Sequence, residues 1–375
     1  GGFQDFPDDY GTIMKLAESG ELTVRIAYHL FPQTAGQEVD DLRRWISMVS
    51  PGDGDEWLRA NGAGENLAWS PADFENFAEP RPALKDTAAE DLESAARLLV
   101  ENGWGFRLHA TYEETIDHDL KVFERIATDN GGSLGVPWFF DHAETISEKS
   151  IERLRALGGN VSIQNRMYFQ GRVFRDRYGA EAAGWAPPVT KLLASGITVG
   201  AGTDATRVSS YNPWLSLHWL TTGTHIGGNQ IYLPDNIVSR ETALQMYTVN
   251  GAKLTGEADK KGTITVGKYG DLVILTADYL TVPDEQIPFI EAAVTIAGGR
   301  VVYANDEYDG QAEPLRKVSL EWSPVNHFGG YQNTSNGIRQ AQTFVDAAAD
   351  SKEQKAWREA RGEAVDDYAV NAEYC

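Results

Sequence analysis

The chain has 375 residues with 42% hydrophobic and 23% charged side chains, which excludes a mainly disordered protein and a collagen-like repeat. Lys plus Arg number 33 and Asp plus Glu 55, a net charge of −22, so the basic face that nucleic acid or an anionic membrane would need is not expected. The one cysteine, Cys375, is the last residue, which excludes an intrachain disulfide framework.

In chain order, Asp8 to Gly20 reads as an amphipathic helix with Ile13, Met14, Leu16 and Ala17 on one side. Leu22 to His29 has strand composition, and a helix follows near Asp40 to Val49. Asp55 to Arg59 is expected as a short strand that ends in Asn61-Gly-Ala-Gly-Glu65. The stretch from Trp69 to Pro82, rich in Phe, Pro and acid, reads as an ordered insertion.

A regular alternation then begins. Helices are predicted over Thr87–Asn102, Ile116–Asp129, Ser147–Leu157, Pro187–Ser195 and Arg240–Asn250. Strands are predicted at Phe106–His109, Trp138–His142, Asn160–Gln164 and Thr198–Asp204. This order implies an α/β fold with parallel strands and crossover helices. No Gly-x-Gly-x-x-Gly follows a strand, so a dinucleotide fold has no support. From Gly262 the texture becomes β-rich, through Leu275 and again over Ala292–Tyr303, as in a small sheet domain. A closing helix is predicted over Gly337–Ala360.

The chemistry-bearing residues sit at strand ends. His109 and His142 each close an apolar strand, and Asp204 closes Gly200-Ala-Gly-Thr-Asp204. In a parallel α/β barrel such ends converge on one mouth. Imidazole and carboxylate suit zinc and similar divalent ions, which lower the pKa of a bound water from 15.7 toward roughly 7. A carboxylate beside that water can accept its proton and later protonate the leaving group. The plainer alternative is three hydrogen-bonded structural residues. His118 reads as a solvated helix residue, and His218 and His225 as packing in or near a Trp-rich helix. His29 is a pocket candidate, and His327 receives no role.

Leu108-His-Ala-Thr-Tyr-Glu-Glu-Thr-Ile-Asp-His118, Phe140-Asp-His-Ala-Glu144 and Gly200-Ala-Gly-Thr-Asp-Ala-Thr-Arg207 resemble strand motifs of the amidohydrolase superfamily. Gly251 to Glu257 and Gly267-Lys-Tyr-Gly-Asp-Leu-Val-Ile-Leu275 fit as well. The nearest branch is the amidohydrolase-3 type, which includes N-substituted formamide deformylase, and the resemblance covers about residues 1 to 305. It implies a TIM-type (β/α)8 barrel with a small β-sandwich, a divalent metal, most often zinc, and hydrolysis of a C–N bond other than a peptide bond. Carried over by residue, His109 and His142 are metal ligands, His142 also helps stabilise the oxyanion, and Asp204 binds or orients the water and moves its proton.

Two departures stand out. No two histidines are separated by one residue, so the family's His-x-His pair is not in this sequence. No lysine lies in Trp57 to Glu65, where many relatives carry one, so Glu65 is the candidate bridging carboxylate. Gln164, Arg166 and Arg207 are candidates for substrate binding, since a cation at a barrel mouth could hold a carboxylate. Tyr168, Tyr211 and Trp214 could line the pocket or the core. The countable strands correspond to strands 3 through 8, and the chain begins Gly1-Gly2-Phe3. The expectation is therefore that an N-terminal segment completing the barrel is lacking here. The expected domains are the six βα units over 1–255, part of a β-sandwich over 256–310 and an extension over 311–375.

The sequence thus predicts a metal-dependent hydrolase of a small amide or formamide-like substrate, with no nucleic-acid or membrane partner. A homo-oligomer is compatible with this reading. A cytoplasmic location is expected unless a signal has been removed. The alternatives are a non-catalytic or regulatory barrel that has lost its metal, and an esterase or deaminase of the same fold.

Overall fold

The computed structural model describes residues 6–74, 76–205 and 209–312. The chain divides into two compact units, 1–270 and 271–375, the second described only as far as residue 312.

The first unit is built on six strands: β1 (Ile26–Leu30), β2 (Leu58–Ala63), β3 (Phe106–Ala110), β4 (Trp138–His142), β5 (Asn160–Gln164) and β6 (Val199–Gly202). They pair in sequence order, and every pairing is parallel. Around them run α1 (Gly11–Glu18), α2 (Glu38–Ile46), α3 (Ala88–Glu101), α4 (Glu113–Asp129), α5 (Glu148–Ala156), α6 (Arg166–Tyr178), α7 (Ala180–Gly184), α8 (Val189–Ala194), α9 (Pro213–Thr222), α10 (Arg240–Tyr247) and α11 (Val249–Leu254). Strand then helix, repeated with parallel neighbours, is the succession of a partial TIM-type barrel.

The helices form because their apolar residues recur at helical spacing. In α3, Leu92, Ala95, Ala96 and Leu99 are all buried. In α4, Ile116, Leu120, Phe123 and Ala127 do the same. Phe123 packs between Phe106 and Trp138, with ring centroids at 5.5 and 4.9 Å, so this side of β3 and β4 is an aromatic layer. Strand side chains alternate between faces. Phe106 and Leu108 therefore point toward the helices, while Arg107 and His109 occupy the opposite face. Register carries that inner row across the sheet, from His109 to Asp141, Ser162 and Gly200.

Two predicted strands, Trp138–His142 and Asn160–Gln164, have the expected bounds. β2 lies later than expected and takes in Asn61-Gly62-Ala63, the segment expected only to end the strand. α6 and α7 had no counterpart in the sequence reading. The helix expected over Arg240–Asn250 is broken at Thr248, whose φ of −118° and ψ of −82° are not helical.

In the second unit, β7 (Leu272–Leu275), β8 (Ala292–Ala297) and β9 (Arg300–Ala304) form an antiparallel sheet in that order. Gly298 and Gly299, at φ +59° and +76°, make the turn between β8 and β9. Residues 256–270 group with the first unit. The predicted helix over 337–360 lies outside the described residues. No described helix is long and apolar enough to cross a membrane.

Candidate metal centre

Three side chains meet at the C-terminal ends of β2, β3 and β4. Glu65, His109 and His142 each offer a ligand atom, and these atoms all lie within 4.8 Å of one another. The backbone explains the convergence. His109 donates its N–H to the Glu65 carbonyl at 2.7 Å, which runs Glu65 alongside β3 beyond the end of β2. Gly64 between them has φ +110°, and a Cβ there would run into the Arg107 carbonyl, so the position requires glycine. At the end of β4, His142 and Ala143 have φ of +79° and +57°, a conformation that side-chain-bearing residues rarely take. This turn lets Ala143 donate to the Ala110 carbonyl at 2.9 Å while the His142 ring sits against His109, centroids 4.2 Å apart.

Charge surrounds the cluster. Arg107 Nη2 lies 3.3 Å from Glu65 Oε2, and Arg107 Nε lies 3.2 Å from Asp141 Oδ2. Burial alone would raise the Glu65 pKa; His142, Arg107 and His109 outweigh it and hold the carboxyl well below the usual range. Burial pushes Asp141 up to about 6 against the pull of Arg107. Glu144, next along the chain, is pushed up to about 7 by burial. Burial would lower His109, yet its contact with Asp73, with help from Glu65 and Glu144, holds it above its ordinary value.

The donor set fits a divalent ion. Two imidazoles and one carboxylate are a common zinc complement, and three protein ligands leave a position for water or substrate. Buried polar atoms support the same reading. Both ring nitrogens of His142 lack a hydrogen-bond partner among the described residues, and Glu65 Oε2 is 3.9 Å from its Nε2. Leaving such a group unsatisfied costs about 1–3 kcal/mol, which a bound ion would remove.

The other expected residues are placed as follows. Asp204 follows β6 with φ +52° and is exposed; it is not among the three gathered groups, and it acts electrostatically on Arg107. Gln164 closes β5, is 4% exposed, and neither amide atom has a partner among the described residues. Arg166 is buried in the first turn of α6. Arg207 lies outside the described residues. His29 is half-buried in β1, with Nε2 3.3 Å from Asn61 Nδ2, and is not among the three gathered groups.

Asp73 was not singled out in the sequence. It is fully buried in the segment between β2 and α3, and its carboxylate accepts N–H groups from Thr111 and Tyr112 at 2.9–3.1 Å. Its Oδ1 lies 3.3 Å from His109 Nε2. Phe74 beside it packs on the His109 ring at 4.6 Å. No periodic pattern marks an acid in an irregular segment; only the density of Phe and Asp before a helix hints at an ordered one.

Comparison with known proteins agrees with this architecture. The profile of the amidohydrolase family matches residues 1–303. The 5'-deoxyadenosine deaminase of Methanobrevibacter smithii is 29% identical over 289 residues, covering 72% of this chain and 62% of that protein. The N-substituted formamide deformylase of Arthrobacter pascens is 26% identical over 116 residues, 31% of this chain and 21% of that one. The chain thus spans less than two thirds of the length of either relative. Atrazine chlorohydrolase TrzN of Arthrobacter aurescens TC1, solved in complex with zinc, shares the fold with a TM-score of 0.54 at 16% identity, covering 90% of this chain and 71% of that one. The matched residues take in the whole parallel sheet and the sheet of the second unit as far as Tyr303, and on that extent the chain belongs to the amidohydrolase family.

Proposed function

We propose that the protein is a metal-dependent hydrolase that cleaves a non-peptide C–N bond of a small molecule, of amide or formamide type, with zinc as the metal. The observation that carries this reading is the meeting of Glu65, His109 and His142 at the strand ends, their ligand atoms within 4.8 Å. Glu65, His109 and His142 would hold a divalent ion there, which would supply Lewis-acid polarisation of a carbonyl and a bound water with a pKa near about 7. Glu65 stays anionic as a ligand because Arg107 and the two rings favour its charged form. Asp204, at the end of β6, is assigned the proton relay from water to leaving group. His142 doubles as an electrophile for the developing oxyanion. Gln164 and Arg166, near the end of β5, are assigned to substrate binding, and so is Arg207. The deaminase and the deformylase among its relatives, both named for changes at small molecules, support that substrate class.

Metal analysis of the purified chain tests the assignment. About one equivalent of zinc is expected in the wild type, with loss in His109→Ala and His142→Ala. Release of ammonia or formate from a panel of small amides, formamides and amino-heterocycles should depend on that zinc. A folded chain that takes up no divalent ion would overturn the reading in favour of a non-catalytic barrel.

A further inference from the structure

We propose that Asp73 is a positioning residue that fixes the ring of His109, and with it the ring nitrogen offered to the metal. The inference rests on the metal-site reading above and adds a residue from a different segment of the chain.

The geometry gives Asp73 two tasks at once. Both oxygens accept the Thr111 N–H, at 3.1 and 3.0 Å, and Oδ2 accepts that of Tyr112 at 2.9 Å. Tyr112 is the N-cap of α4 and makes no side-chain cap bond of its own, so Asp73 serves the helix start from outside. The anion also lies at the positive end of the helix dipole. A carboxylate has about four lone-pair sites, so these bonds leave capacity for a further donor. That donor is His109 Nε2, 3.3 Å from Oδ1. Thr111 Oγ1 stands 3.2 Å from the same nitrogen. With acceptors grouped at Nε2, the neutral ring carries its proton there and directs the Nδ1 lone pair to a ligand position. Phe74, at 4.6 Å, restricts the ring plane from one face.

His142 supplies the contrast. Neither of its nitrogens has a partner among the described residues, so its ring is held by the backbone turn and by packing. One ligand is therefore set before the ion arrives and the other is set less firmly. Carboxylates behind a ligating histidine are worth 10–100-fold in metal affinity.

Asp73→Asn separates the two tasks, because the amide oxygen still accepts backbone N–H groups while the charge is gone. Zinc affinity, measured by chelator competition on the full chain, should fall 10–100-fold in Asp73→Asn, with the metal-free melting temperature near that of the wild type. Asp73→Ala should lose both. Long-range proton–nitrogen spectra of the metal-free wild type should show His109 protonated on Nε2, and Asp73→Asn should weaken that preference. Wild-type zinc affinity in a folded Asp73→Asn chain would overturn the proposal and leave Asp73 a helix cap only. So would a wild-type His109 protonated on Nδ1, a result that needs no variant to fold. If the wild type binds no zinc, the metal reading falls, while the tautomer still decides the role of Asp73.

Discussion

Asp119 shows how far one buried carboxylate can move with pH. It is 1% exposed in α4, shares a 2.9 Å hydrogen bond with His118 Nδ1, and leaves Oδ2 without a partner among the described residues. Burial raises its pKa from 3.8 to about 7. A raised acid stabilises the fold only while protonated, so its contribution is complete below 3.8 and is lost as pH rises to 7. Asp119→Asn is expected to stabilise the chain by about 1–4 kcal/mol at pH 8, with the gain shrinking toward pH 5, as read from thermal melts at the two pH values. Residues differ in how openly the sequence declares them. His109 and His142 could be read because each closes an apolar strand, and Glu65 because it follows a glycine-rich strand end. Asp204 has the same signature yet is not gathered with the three. Asp73 reaches His109 through tertiary folding of an irregular segment, for which local periodicity holds no record.

Elements with a single strong period were the legible ones. β4 and β5 are short apolar runs bounded by turns, and α3 and α4 carry an unbroken buried stripe. β2 lies later than Asp55–Arg59, and Gly62 lies inside a parallel strand, opposite His29 and where a Cβ would crowd the Gly105 carbonyl. α6 escaped notice because Arg and Gln interrupt its stripe, and it buries Arg166 along with Met167, Tyr168, Gly171 and Phe174. The aromatic layer between α4 and the sheet yields a prediction at this scale. Phe123 is fully buried against Phe106, Trp138 and Phe140. Phe123→Ala should cost about 3–5 kcal/mol in denaturant unfolding. Phe289→Ala, at a side chain 57% exposed, should change stability by less than about 0.5 kcal/mol.

At the scale of the whole chain, the fold class followed from the alternation of strand and helix, and the small second sheet begins at Leu272. The exact division after Gly270 depends on which residues pack together and could not be read from composition. The candidate ligands come from three separate strand ends, so an ion bound by all three would tie adjacent βα units together. Zinc at a hundredfold excess over its dissociation constant should stabilise the folded chain by about 2.7 kcal/mol, a rise of roughly 3–5 °C in melting temperature that a chelator reverses. Calorimetry with and without zinc checks this, and His109→Ala should abolish the difference.

The three candidates also lie in one unbroken run, from residue 65 to residue 142, on strands that are neighbours in both sequence and space. During synthesis that run is translated ahead of β5, and it leaves the ribosome before β6 and the second unit have been made. An ion bound by these three residues in the nascent chain would be in place before β6 docks onto the sheet.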